Sequence, residues 1–516
     1  MTTPRSTLRL ASSCWMAACA ALAVLAIRGG PVVSTQPSLG YFEAAGDVGS
    51  PAIAGTTTYN PAAQTYTLSA GGTNMWGERD EFQFVWRRMT GDFILRAHAT
   101  FLGTGVDPHR KLGWIVRSAL DAGSPYVDAT VHGDGTAALQ YRRTPGAITE
   151  EIKSDVKDAD VIQLERRGRT YIVSFARFGE PFRSVELAEI DLGEDVHVGL
   201  FLCSHNPQVT ERAVFSNVRI IVPPRPGWVP YRDYIGSNLE VLTLDTGHRV
   251  VLHTSPGSFQ APNWTLDGRA LIYNRSGRLY RFDLGTRIAV PLDTGVATAN
   301  NNDHVLSFDG RMLGISHHSR DDNNRSVIYT LPASGGTPQR VTANAPSYLH
   351  GFSPDGRFLV YTGQRNGELD IYRIPVDGGE ETRLTTAPGV DDGPEYTPDG
   401  QWIYFNSART GRMQIWRMKP DGSGQEQITD DGFNNWFPHI APDGRTMVVL
   451  SYGQDVEPGD HPFYRHVYLR HMKLDGGEPR VIAYVYGGQG TINVPSWSPD
   501  GTRIAFVSNS ALPVPH

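Results

Sequence analysis

A chain of 516 residues is too long for one hydrophobic core and requires two or three domains. Apolar residues make up 40% and charged residues 20%, which excludes a disordered chain, and 55 glycines and 35 prolines scattered along it suit many short strands joined by tight turns. The formal net charge of −7, with no concentrated basic stretch, argues against a nucleic-acid partner and more easily accommodates a neutral or cationic one.

In chain order, residues 1–34 read as an export signal or an anchor. Arg5 and Arg9 precede an apolar, Ala-rich run over residues 11–27, which Arg28-Gly29-Gly30-Pro31 ends. The run is about long enough to span a bilayer if it is not removed. A periplasmic or secreted protein is therefore expected, with a membrane association only if the segment stays uncleaved. Cys14 and Cys19 fall in this segment, so only Cys203 remains in the mature chain and no internal disulfide forms. Cys203 ends an apolar run over residues 198–202 and reads as an inert core thiol.

Residues 38–222 form the first expected domain. Phe93–Phe101 (FILRAHATF) and Tyr126–His132 (YVDATVH) are expected strands, and residues 139–143, 160–166, 170–178, 196–202 and 213–221 continue the series. Gly and Asp turns separate them, and no helical period is sustained, which predicts a two-sheet sandwich or jelly roll. Trp76-Gly77-Glu78-Arg79-Asp80-Glu81-Phe82, Gly91-Asp92-Phe93, and Val198-Gly199-Leu200-Phe201 followed by Ala213-Val214-Phe215-Ser216-Asn217-Val218 resemble the concanavalin-like, laminin-G-like domains of exported bacterial proteins. That resemblance implies sugar binding. Arg117, Asp128, His132, Gln140 and Arg142, with Arg96, His98 and Thr130, share the polar parity of their strands. They are a ligand patch if that face is concave and a solvated face if it is convex. Pro223, Pro224, Pro226 and Pro230 then make residues 223–234 a stiff linker.

From residue 235 to 510 one unit recurs: an apolar or aromatic residue, Ser/Thr/Ala-Pro-Asp-Gly, then a β-rich run. The Asp of each copy is Asp267, Asp309, Asp355, Asp399, Asp443 and Asp500, at spacings of 42, 46, 44, 44 and 57. Leu266 and Phe308 replace Pro in the first two copies. In the unit over residues 350–385, Pro354 presets φ and Gly356 takes the positive φ of a turn. The next run, RFLVYT, is nearly all apolar and must be buried on both faces. Four strands per unit make one propeller blade. The last unit holds only inner strands, near residues 494–497 and 503–508, while residues 239–244 and 249–253 lie unassigned ahead of the first. Pairing the two ends completes a six-bladed ring without open edges. The whole chain thus reads as all-β: a jelly-roll sandwich, then a propeller closed by its N- and C-terminal strands. The Pro-Asp-Gly repeats, with residues 350–357 (HGFSPDGR) and 497–501 (WSPDG) as the sharpest copies, resemble the TolB-type propeller family. That family holds binding proteins, peptidase-associated domains and some polysaccharide lyases, so the fold does not choose the function.

Propellers bind ligands over the central channel, at the loops entering each innermost strand. Those loops supply Asn263, Asn302, His304, His350, Asp392, Glu395, Asn435, Trp436, His439, Gln489 and Asn493 as candidate ligand residues. His304, His350 and His439 could hold a divalent metal, and together with nearby carboxylates they loosely resemble the metal-bearing channel of oligogalacturonate lyase propellers. No cofactor is otherwise indicated. The 57-residue spacing marks an insertion in the fifth blade, where His461 and His466 could move protons and Arg465 could hold a carboxylate. Asp128 and His132 lie on one face of a strand, too little for a catalytic pair, and no Gly-x-Ser-x-Gly elbow, His-Glu-x-x-His helix or phosphate loop occurs. The leading expectation is an exported protein that binds a glycan or an envelope partner through both domains. An oligosaccharide lyase or hydrolase with a channel metal, and a periplasmic protein–protein scaffold, are the alternatives.

Overall fold

The computed structural model describes residues 38–512, so the export segment expected over residues 1–34 lies outside the described residues. Within them the chain is all-β, with one 3-10 turn at Arg320–Asp322 and no helix long and apolar enough to cross a membrane.

The N-terminal part is a sandwich of two seven-stranded antiparallel sheets. One runs Ala44–Val48, Phe82–Met89, Val196–Cys203, Lys111–Arg117, Tyr126–His132, Thr136–Arg142, Glu150–Lys157. The other runs Arg183–Leu187, Thr170–Ala176, Val161–Arg167, Phe93–Phe101, Glu211–Ile221, Thr65–Ala70, Thr56–Asn60. Alternation places Val127, Ala129, Leu139 and Trp114 against Leu95, Leu164, Val173 and Phe215 between the sheets. The reverse side of the first sheet is also buried. Met75, from the connection before Phe82–Met89, packs there with Phe82, Phe84, Ile115, Tyr126, Phe201 and Cys203. Cys203 is a free, buried thiol whose pKa burial pushes up to about 11, in keeping with an inert role.

Five four-stranded sheets follow, each antiparallel and in sequence order, with innermost strands Gln260–Trp264, Asn300–Leu306, Ser347–Phe352, Asp391–Tyr396 and Asn434–Ile440. The sixth blade closes the ring as expected: Ser237–Thr243 pairs Arg503–Asn509 on one side and His248–Ser255 on the other, and Trp497 bridges Ile504. The repeat motif has a clear local cause. In five of the six turns the Asp carboxylate accepts from a Ser or Thr hydroxyl two residues earlier and from the amide two residues later, as Asp355 does with Ser353 (2.6 Å) and Arg357 (3.1 Å). The following Gly takes φ near +70°, for example 71° at Gly356.

The outermost strands of the second to fourth blades are two residues long, but that of the fifth is Arg480–Gly487. It is long because it is covered: Val481 and Tyr484 pack against Val161 and Ala176 of the sandwich, and the Tyr484 hydroxyl donates to Glu180 O at 2.6 Å. Further along this junction Glu240, fully buried, receives Arg219 of the sandwich (2.6 Å) and Arg249 of the propeller (2.9 Å).

Candidate functional site

The innermost strands are not regular. Register shifts interrupt them between Gln260 and Asn263, Asn300 and His304, Leu349 and Gly351, Asp392 and Glu395, and Trp436 and His439. Ala261 (φ 56°) and Phe437 (φ 54°) sit in two of these bulges with left-handed backbone. Because the side-chain period is two, a bulge changes which face the neighbouring residues present. Asn302, Asp303, His350, Asp392 and Phe437 line a cavity of ≈ 840 Å³ at one mouth of the channel, together with Gln489 and Asn493. Downstream of the bulges, Asn263, Glu395 and His439 bond to neighbouring blades instead. Asn263 donates to Pro495 O (2.6 Å) and accepts from Leu306 N, and Glu395 accepts from Ile440 N (2.8 Å) while pairing with His439 Nδ1 (2.8 Å). His439 Nε2 also bonds Ile492 O. These three residues hold blades together, and Asn263 and Glu395 line, with His350, a separate cavity of ≈ 320 Å³ rather than this one.

The expected equivalence of His304 and His350 fails for the same reason. The shift in Asn300–Leu306 ends at His304, whose Nε2 meets Ile272 O at 3.1 Å, fully buried, with its pKa pushed down to about 4 by burial. His350 falls within its own bulge and reaches the cavity. His304, His350 and His439 are therefore not brought together, and among the described residues no group of three or more His, Cys, Asp or Glu is placed to hold a metal. Asn435 is buried away from the cavity, bonded to Ser451 (2.8 Å) and Arg470. Trp436 is fully buried beneath His461, the rings stacked at 4.4 Å, and offers no open stacking surface.

The fifth-blade insertion divides as well. His461 lines the cavity, but Arg465 begins the strand Arg465–Lys473, and His466 on it turns to the sandwich, where Nε2 meets Glu165 at 3.2 Å. The proposed His461/Arg465/His466 group is thus not one constellation. Sequence reasoning missed much of the rim: Tyr231 and Tyr234, read as part of a stiff linker, line the mouth beside Phe463 of the insertion. Tyr231 and Phe463 rings lie 5.1 Å apart. The Trp228-x-x-Tyr231-x-x-Tyr234 spacing was the available signal.

The cavity floor is acidic. Asp392 Oδ1 receives Thr362 Oγ1 (2.6 Å), Gly393 N (2.7 Å) and His350 Nε2 (3.2 Å). Burial would raise the Asp392 pKa, but His350 outweighs it and holds the group at about 2. Burial likewise disfavours protonated His350, and Asp392, Asp303 and Glu395 together raise its pKa despite that. Asp303 is pushed up to about 6 by burial and by the nearby Asp392 charge. Among the described residues no Lys or Arg lines the cavity.

A second, smaller cavity of ≈ 290 Å³ opens on the sandwich, lined by residues that include Trp76, His109, Lys111, His132, Gln140 and His205. His132 and Gln140 of the expected patch are here; Arg117 and Arg142 are not. Both guanidinium groups are fully buried on Asp80, at 2.8 and 2.7 Å, so they are structural rather than a ligand patch or a solvated face. Asp128 is fully buried with no ion-pair partner among the described residues, and burial raises its pKa well above the usual carboxylate range. His132 Nδ1 is unpaired, and burial lowers that ring's pKa to about 3.

Comparison with known proteins agrees with this architecture in the propeller. The model of the TolB β-propeller domain matches residues 344–457. An uncharacterised protein of Agrobacterium fabrum is 47% identical over 272 residues, 52% of this chain and 92% of the relative. A solved structure from Agrobacterium tumefaciens, provisionally assigned as TolB, is 46% identical with a TM-score of 0.52, and the match covers 54% of this chain and 100% of that one. The Tol-Pal system protein TolB of Bordetella pertussis is 28% identical over 148 residues, 28% of this chain and only 33% of that protein. On the repeat, the closed six-bladed ring and these relatives, the chain belongs to the TolB-like PD40 β-propeller family.

Proposed function

We propose that this chain is an exported binding protein of the cell envelope, whose propeller takes part of a protein or glycan partner into the channel mouth and whose sandwich adds a carbohydrate site. The observation that carries the reading is the ≈ 840 Å³ cavity, walled by polar and aromatic side chains from blades, linker and insertion together. Its rim aromatics favour a partner with apolar or ring surfaces, and its amides favour one rich in hydroxyls or peptide groups. The concanavalin-like resemblance of the sandwich, with Trp76 beside the His132 and Gln140 cavity, supports the carbohydrate half of the reading.

The test is capture of solubilised envelope protein and glycan by the full-length chain and by two variants. Asn302→Trp fills the channel mouth and Trp76→Ala strips the sandwich cavity. Expected are a discrete partner lost only with Asn302→Trp and glycan retention lost only with Trp76→Ala. Retention unchanged in both variants would sink the reading. A lyase-type activity draws its support from Asp303 at about 6 beside the His350–Asp392 pair. Ultraviolet absorbance of unsaturated products from pectate, abolished by His350→Ala, is the outcome that would put it first.

A further inference from the structure

Deepening that reading of the channel mouth, on which it rests, we infer that the cavity floor is a receptor for an alkylammonium group, held by the carboxylates of Asp303 and Asp392 in the cavity that Tyr348 also lines.

Three independent features converge on this ligand class. The first is unbalanced charge. Among the described residues two carboxylates line the cavity, and no Lys or Arg does. His350 is the partner of one carboxylate, and burial keeps His461 from protonating readily, so the floor carries an excess of acid over base. The second is directional. All three donors on Asp392 converge on Oδ1, which leaves Oδ2 for a further donor. Asp303 donates its backbone N–H to Asn301 Oδ1 (3.0 Å), and its buried carboxylate has no ion-pair partner among the described residues, His350 being paired with Asp392, which is the arrangement an incoming cation would relieve.

The third feature is unmet polarity in the same wall. Asn302 is only 6% exposed and lines the cavity, yet its Nδ2 has no hydrogen-bond partner, and Asn300, 5% exposed, has an unpaired Oδ1. A buried acceptor and donor left open in a cavity wall point to a ligand that supplies both. An ammonium group on a peptide or amide stem does so: its N–H groups serve the carboxylates and Asn300 Oδ1, and a carbonyl on the stem serves Asn302 Nδ2. Tyr348 lines the same cavity as Asp303 and Asp392, which gives a bound cation an aromatic neighbour. The exposed ring of Tyr231 also lines the mouth.

The chemistry is shared by a lysine side chain of a protein partner and by a free diamine, and titration calorimetry on the full-length chain at neutral pH separates them. The probes are acetyl-Gly-Lys-Gly-amide, its norleucine counterpart, and 1,5-diaminopentane. The lysine peptide or the diamine should bind, and the norleucine peptide should bind at least about tenfold more weakly, the usual scale for a charge-assisted pair. Asp303→Asn should cost the cationic probe a similar factor and leave the norleucine peptide unchanged, with a thermal melt confirming the fold. Binding confined to the peptide assigns the site to a partner's side chain; equal binding of the diamine assigns it to a free amine. Norleucine binding as tight as lysine, or no binding of either cationic probe, overturns the inference. If the Asn302→Trp-sensitive partner is still captured in that case, the channel reading stands and only the cation is wrong. If capture fails too, both fall.

Discussion

Single residues in this chain show two opposite ways of burying an acid. Asp80 is fully buried and satisfied by two guanidinium groups, while Asp128 is fully buried with no ion-pair partner among the described residues. The first arrangement is costly to break from one side, since removing the carboxylate charge leaves Arg117 and Arg142 buried and uncompensated. Asp80→Asn should therefore destabilise by about 3–5 kcal/mol, read from urea denaturation followed by tryptophan fluorescence. The second arrangement is a cost the native chain already bears. A carboxyl whose pKa is raised on folding loses stability as pH climbs above its unfolded value, so Asp128→Asn should raise the denaturation midpoint at neutral pH. A buried acid that costs stability, paired across the sheet with the cavity-lining Gln140, is a mark of function rather than of packing. A lowered midpoint for Asp128→Asn would instead make it a structural group.

At the scale of elements, the turns and the bulges differ in what they write into the sequence. A turn is local: the Ser353, Asp355, Gly356 and Arg357 positions all lie within five residues, and each does a job that only a few residue types can do. Gly356→Ala should cost about 1 kcal/mol, because φ of 71° disfavours any Cβ, and Asp355→Ala about the same through its lost side-chain acceptor. A thermal melt of either variant checks this, and an unchanged melting point would deny the turn its role. Six such turns made the blade count, and the pairing of Ser237–Thr243 with Arg503–Asn509, readable in advance. The bulges were not readable. One or two inserted residues leave no mark in a short polar strand, yet they decide that His350 enters the cavity while His304 turns to Ile272. The sandwich patch was hidden differently. Alternation along Tyr126–His132 identified the polar face, but Asp80, which claims Arg117 and Arg142, comes from a distant connection that no local pattern links to it. The rim escaped because Tyr231 and Tyr234 come from a connecting segment, outside every repeat.

Sandwich and propeller are held together at a place where three parts of the chain meet. Glu240 lies on the strand that closes the ring, and its carboxylate accepts from Arg249 of the adjacent strand, from Arg219 at the end of the sandwich, and from Ser508 at the C-terminal closing strand. Asn217 reinforces the joint, donating to Gly247 O and accepting from Arg249 N, both at 2.8 Å. Closing the ring and docking the sandwich thus share one charge, so they should be thermodynamically coupled. Burial alone would raise the Glu240 pKa, but Arg219 and Arg249 outweigh it and hold it at about 2, against an ordinary glutamate value of 4.5. The sign follows from the depressed value: this stabilisation is complete above about pH 4.5 and is lost as pH falls through about 2. Glu240→Gln removes the charge while keeping the shape. It should cost about 3–5 kcal/mol at neutral pH through the two unpaired guanidinium groups. The gap between wild type and variant should then shrink as acid is added, because the wild type alone has this proton to take up. Urea titrations of both proteins between pH 7 and 2.5 measure that gap directly. A gap that stays constant with pH would mean that Glu240 contributes packing rather than charge, and that sandwich and propeller are joined by the apolar seam around Val481 and Tyr484 instead.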